Sequence, residues 1–138
     1  MNVIMLAPGY PGEMPYFCRA LARNGAKVYG LSDVAYKDLP ALTREHLSGY
    51  LQVANFTDEE AVVRQVVESV GSNTIDRVVC MWEPGVVLAA KLREATTVVA
   101  LSQSRLREQV EGLVTRLNSQ LVQRDPAFEK IGELLPQA

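Results

Sequence analysis

The sequence predicts an α/β protein, with a parallel, doubly wound sheet of four to five strands and a C-terminal helical tail. Three observations carry this. Short apolar runs of strand length recur at Val3 to Ala7, Lys27 to Leu31, Tyr50 to Val53 and Arg77 to Met81. Segments with apolar residues at helical spacing lie between them, and Gly or Pro stands at most of the borders. Continuous apolar runs suit parallel strands buried on both faces. Strands that alternate with helices are joined by parallel crossovers. Together these features make a Rossmann-like order of elements.

The first strand breaks at Pro8-Gly9, and Met14, Phe17, Cys18 and Leu21 then give one face of a helix. Pro15 is tolerated in the first turn of that helix, and Gly25 supplies its stop. The second strand ends at Ser32-Asp33, which completes a βαβ unit. Val34 to Ser48 reads as irregular, with Pro40 inside it. After the third strand, Thr57-x-x-Glu60 has the form of a capping box. Behind it Val62, Val63, Val66, Val67 and Val70 form a stripe that needs packing on the sheet to hold it helical. Gly71 ends this helix, and Pro84 opens the one after the fourth strand, which extends to about Ala95.

Thr97 to Leu101 reads as a fifth strand. Ser102 then caps a long helix with Leu106, Val110, Leu113, Leu117 and Leu121 on one face, at a spacing close to a coiled-coil seam. Asp125-Pro126 ends it and starts a short helix carrying Phe128, Ile131, Leu134 and Leu135. The expected organisation is a domain over residues 1–101 and a helical extension over 102–138, which packs on the domain or on a partner. A homodimer or a partner chain would use the Leu106 to Leu121 stripe.

At 138 residues the chain is long enough for one domain with a real core. The net charge of −2 provides no basic field for a nucleic-acid backbone, so no nucleic-acid partner is expected. The apolar runs are too short to span a membrane, and the N-terminal run is too brief for a leader. A cytoplasmic protein is the expectation. Cys18 and Cys80 lack any Cys-x-x-Cys spacing, which argues for two buried, inert thiols rather than a zinc site. His46 is the one histidine and reads as a solvated loop residue. Without a second histidine or an acidic cluster, no metal site is expected.

The candidate site lies at the carboxyl ends of the strands, where open α/β sheets bind ligands. The turn after the first strand holds Gly9, Tyr10, Gly12 and Glu13, and reads either as a tight turn or as a loop against a ligand. It is neither a Gly-x-Gly-x-x-Gly fingerprint nor a Walker loop. Asp33 stands where dinucleotide folds place an acid for a ribose hydroxyl, and equally where a turn residue belongs. Glu83 is delivered to the end of the fourth strand beside Trp82. It reads as a substrate-side acid or as an acid favouring the helix start at Pro84. Trp82 is core or a wall of the crevice.

Residues 1–95 resemble the pre-ATP-grasp domain, the biotin carboxylase N-terminal-like domain that precedes the ATP-binding lobes in ATP-grasp carboxylate–amine ligases. The resemblance rests on Met1 to Gly12, on Lys27-Val28-Tyr29-Gly30-Leu31-Ser32-Asp33, and above all on Asp76-Arg77-Val78-Val79-Cys80-Met81-Trp82-Glu83-Pro84 followed by Leu88 to Ala95. It implies a crevice in which acids of the first loop and the fourth strand end hold an amine substrate, here Glu13 and Glu83. Such proteins continue into lobes that supply nucleotide-binding lysines and magnesium carboxylates. Here Thr96-Thr97-Val98-Val99-Ala100 and an amphipathic helix follow instead. The resemblance therefore implies a ligase-like, stand-alone or truncated domain that is not catalytic alone. ATP and magnesium would need the missing lobes, so no cofactor is expected in this chain. The alternatives are a flavodoxin-like small-ligand binding module and an interaction domain that works through the C-terminal helix.

Overall fold

A computed structural model describes the protein over residues 1–124, with side chains to residue 120. The expected short helix after Asp125-Pro126 and the side chain of Leu121 lie outside the described residues. The chain divides into two compact units, residues 1–100 and residues from 101 onward.

The strands are β1 (Asn2–Leu6), β2 (Lys27–Ser32), β3 (Gly49–Gln52) and β4 (Arg77–Val79), and the helices are α1 (Met14–Arg23), α2 (Ala41–Arg44), α3 (Glu59–Val70) and α4 (Val86–Arg124). All four strands are parallel, in the order β3-β2-β1-β4. The order reverses between β1 and β4. A flavodoxin-like sheet would put the third strand beside the first, whereas here β3 pairs with β2.

Alternation along β1 divides the core. Val3 and Met5 pack with Met14 and Cys18 of α1 and with Val28. Ile4 and Leu6 face the other way, onto Val62 and Val66 of α3 and Leu88, Ala89 and Leu92 of α4. Helices therefore cover both faces of the sheet, as its strongly apolar strands require. The Lys91 ammonium meets the Glu59 carboxylate at 2.7 Å and ties α4 to the start of α3. The bond raises the Lys91 pKa.

Several sequence expectations change. The segment expected to be irregular contains a 3-10 turn at Tyr36–Asp38 and the short α2. The cap of α3 is Asp58 rather than Thr57, since the Asp58 carboxylate accepts from the Ala61 amide at 3.1 Å. Thr57 is drawn away because its amide and hydroxyl both donate to the Asn55 side chain. Phe17 is exposed, although Met14 and Cys18 on the same helix are buried.

β4 stops at Val79, two residues early. The Ala7 amide makes the last bond of the β1–β2 ladder, to the Leu31 carbonyl, and the φ of 46° at Ala7 then turns β1, the ladder partner of β4, away. Met81 is left exposed beyond the ladder.

Thr97 to Leu101 is not a fifth strand; α4 runs through it. The Thr96 and Thr97 hydroxyls donate to the Leu92 and Arg93 carbonyls four residues back, which seats these β-branched residues in the helix. Ser102 therefore lies inside α4 and does not cap it. With no fifth strand among the described residues, β4 is an edge. The Arg93 guanidinium covers it, donating from Nε and Nη2 to the Val78 carbonyl at 3.1 and 2.9 Å.

Candidate functional site

The reversal in strand order brings the loop after β1 and the turn after β4 side by side. Pro8 is buried, and its carbonyl accepts from the Thr43 hydroxyl at 3.1 Å and from the Cys18 thiol at 3.8 Å. Thr43 is fully buried in α2, so the segment expected to be irregular anchors this loop from beneath. Burial pushes the Cys18 thiol up to about 11, with a backbone hydrogen bond opposing it. This thiol stays protonated, as expected for an inert one. Cys80 differs from expectation: it is half-buried, and its thiol donates to the Trp82 carbonyl at 3.0 Å.

Gly9 is explained by packing. A Cβ there would meet Pro40 Cδ at 2.9 Å, so the missing side chain admits Pro40. The next residue, Tyr10, is exposed and extends toward β4. Its ring meets the Trp82 indole edge-on, with centroids 6.5 Å apart and planes at 88°. Phe56, from the loop after β3, packs on the same indole at 5.7 Å. Trp82 is half-buried, with both rings against its indole at the strand ends. Such aromatic contacts are each worth about 0.5–1.5 kcal/mol beyond the area they bury.

Glu83 follows directly. It opens a 3-10 turn over Glu83–Gly85 with Pro84 in its first turn, and its side chain is exposed. The turn closes through the Gly85 amide, which donates to the Trp82 carbonyl at 3.0 Å. Gly85 is required for contact as well: a Cβ there would lie 2.9 Å from Cys80 Sγ and 3.3 Å from the indole. The acid thus stands next to an indole in contact with two other rings, just before the start of α4. A carboxylate placed there can accept charge-assisted hydrogen bonds from an ammonium or bonds from hydroxyls.

The other predicted residues are less closely gathered. Glu13 is the N-cap of α1, exposed, and makes no side-chain cap bond. Gly12 is exposed, and a Cβ there would meet nothing within 4 Å, so no contact demands glycine. Asp33 is exposed at the end of β2, with β1 between it and β4, roughly 10 Å to the side at ordinary strand spacing. The turn at this point belongs to Ser32, whose hydroxyl accepts from the Val34 amide at 3.3 Å. The Tyr50 hydroxyl donates to the Val34 carbonyl. Burial and then the nearby Asp33 charge raise the Tyr50 phenol above its ordinary value, with Ser32 opposing them. His46 is half-buried rather than solvated, its Nδ1 2.9 Å from the Leu42 carbonyl.

Phe56 and Gly85 are the site residues that sequence reasoning missed. The signal for Gly85 was its place after Trp82-Glu83-Pro84, a tight turn beside a bulky ring. Phe56 follows no period and leaves no such trace.

Cavities lie elsewhere on the first unit, and three of them are lined by described residues. One of about 210 Å³ sits between β2, β3 and the end of α3, lined by Tyr29, Leu31, Tyr50, Val66 and Val70 among others. A second, of about 230 Å³, runs along the β4 edge beside Arg77 and Arg93, and a third, of about 390 Å³, lies between Arg64 and Lys91. None of the three includes a predicted site residue. Among the described residues no group of three or more His, Cys, Asp or Glu side chains is placed to hold a metal, and no helix is long and apolar enough to cross a membrane. In comparisons with protein-family models, curated proteins and solved structures, nothing matches this chain.

Proposed function

We propose that residues 1–95 form a Rossmann-like, doubly wound domain of the pre-ATP-grasp kind, derived from an ATP-dependent carboxylate–amine ligase. In this reading it presents one wall of an amine-binding crevice and completes no reaction alone. The observation that carries it is the Tyr10–Trp82 ring contact, which joins the loop after β1 to the turn bearing Glu83 at the point of strand reversal. Ligands of open parallel sheets lie at that point. Glu83 accepts from the substrate's ammonium, Trp82 and Tyr10 shape the apolar side, and Glu13 approaches from the start of α1. ATP and magnesium belong to lobes on another polypeptide or another part of the protein, because phosphoryl transfer needs cationic and metal charge around the γ-phosphate.

The strand order favours this reading over a flavodoxin-like module, since β3 lies beside β2. The test is a thermal-shift panel of primary amines and amino acids, with parent and Glu83→Gln, beside a titration with ATP and magnesium. At least one amine should raise the melting point of the parent and not of the variant, while the nucleotide shows no tight binding. Micromolar binding of ATP with magnesium would overturn the need for further lobes. A panel in which no amine protects the parent would overturn the crevice.

A further inference from the structure

The geometry of α4 points to an interaction surface of defined chemistry, independent of the strand-end site. We infer that the second unit docks a partner protein's helix, one with an apolar seam flanked by Glu or Asp.

Leu106, Val110, Leu113 and Leu117 recur at spacings of four, three and four within α4, which gathers them in an arc of roughly 60°. Val114 widens the stripe on one side. All five are between 50% and 61% exposed. Among the described residues this row of large aliphatic side chains stands in water, at the spacing of one half of a helix pair.

The flanks identify the second member. Arg107 borders one side of the stripe and Arg116 the other, both exposed. The acids of this segment, Glu108 and Glu111, project toward the far face of the helix. Over residues 101–120, pairing two copies of this chain brings no acid across the seam to the flanking arginines. A parallel, in-register pair sets Ser102 against Arg107 and Gln109 against Val114 across the seam. In the best antiparallel register Leu106 meets Leu117 and Val110 meets Leu113. The flanks then bring Arg107 to Val114 and Gln109 to Arg116. Neither arrangement makes a cross-seam ion pair, whereas a foreign helix with acids at its flanks matches both arginines. A lipid surface fits less well. The stretch 101–120 contains no aromatic residue to seat at a bilayer interface.

The test uses the full chain and two synthetic helical peptides of about four heptads, with identical Leu seams and either Glu or Lys at every flanking position. Anisotropy titrations should show binding of the Glu-flanked peptide, weakened by added salt. Reversing both charges, Arg107→Glu with Arg116→Glu, should weaken that binding about tenfold and create binding of the Lys-flanked peptide. Both positions are exposed, so the variant should keep the parent's circular dichroism and melting point. Equal binding of the two peptides by the parent, or binding of neither, overturns the inference. So does sedimentation of the parent as a dimer, or binding to phosphatidylserine vesicles without peptide discrimination.

Discussion

The phenol of Tyr10 stands edge-on to the indole of Trp82, their planes at 88°, and the two residues come from loops on neighbouring strands. This contact, with Phe56 on the same ring, holds the two sides of the candidate crevice together. A double-mutant cycle of Tyr10→Ala and Trp82→Ala in urea should give a coupling of about 0.5–1 kcal/mol, the lower part of the range because Tyr10 is exposed. Trp82 is the chain's one tryptophan, so Tyr10→Ala should also red-shift the emission by opening the indole to water. An unchanged spectrum with additive energies would mean the rings do not touch.

Glycines of this site should separate by what their Cβ would meet. Gly85→Ala forces a methyl to 2.9 Å from Cys80 Sγ and should cost about 1–3 kcal/mol by overpacking. Gly12→Ala meets nothing within 4 Å and should be near neutral. Urea midpoints of the two variants check the contrast, and equal midpoints would remove the packing explanation for Gly85.

The core face beneath α4 should be the most sensitive. Leu92 is fully buried among sheet and helix side chains, and Leu92→Ala should cost about 2–5 kcal/mol through lost burial and a residual cavity. Leu106→Ala removes the same atoms from an exposed site and should fall within about 0.5 kcal/mol of the parent. Thermal unfolding of both variants gives the comparison.

Cys18 gives alkaline pH a defined role. Its folded value is about 11 against an ordinary 9.0, so the unfolded chain releases this proton first. The raised value favours the protonated thiol in the fold. Its contribution is intact below pH 9 and is lost as pH rises from there through about 11. Cys18→Ala should flatten the fall in stability across that window when compared with the parent. A thiol reagent at neutral pH should modify the half-buried Cys80 first and reach Cys18 only on unfolding. Rapid modification of both would contradict the burial.

Much of the fold was legible because it depends on local pattern. The apolar runs at Val3, Val28 and Val78 marked strands that do occur in one parallel sheet, and the valine stripe from Val62 marked a helix that packs on it. Where local signals competed, tertiary structure decided. Thr96-Thr97-Val98-Val99 has strand composition, yet hydroxyl bonds to the preceding turn and continuity from Leu88 and Leu92 make it helix. Thr57 and Asp58 both suit a cap, and Asn55 settles the choice by engaging Thr57. At the site, Glu83 and Trp82 were legible from the strand-end position. Phe56 was not, because its partner is 26 residues away in sequence and appears only once the sheet is assembled. Gly9 was legible as a constrained position but for a different reason, since its neighbour is Pro40.

The bond from Arg93 to the Val78 carbonyl has a consequence for how the molecule behaves in a crowded solution. An exposed strand edge is a template on which another chain's backbone can polymerise. In this fold the guard is one side chain held by two hydrogen bonds, 3.1 and 2.9 Å long. A side chain can withdraw without unfolding anything, so the cover of the β4 edge, one of the two edges of the sheet, opens more readily than the sheet itself. Arg93→Ala should therefore show first as turbidity over days, by strand pairing at the uncovered β4 edge, with the melting point changed less.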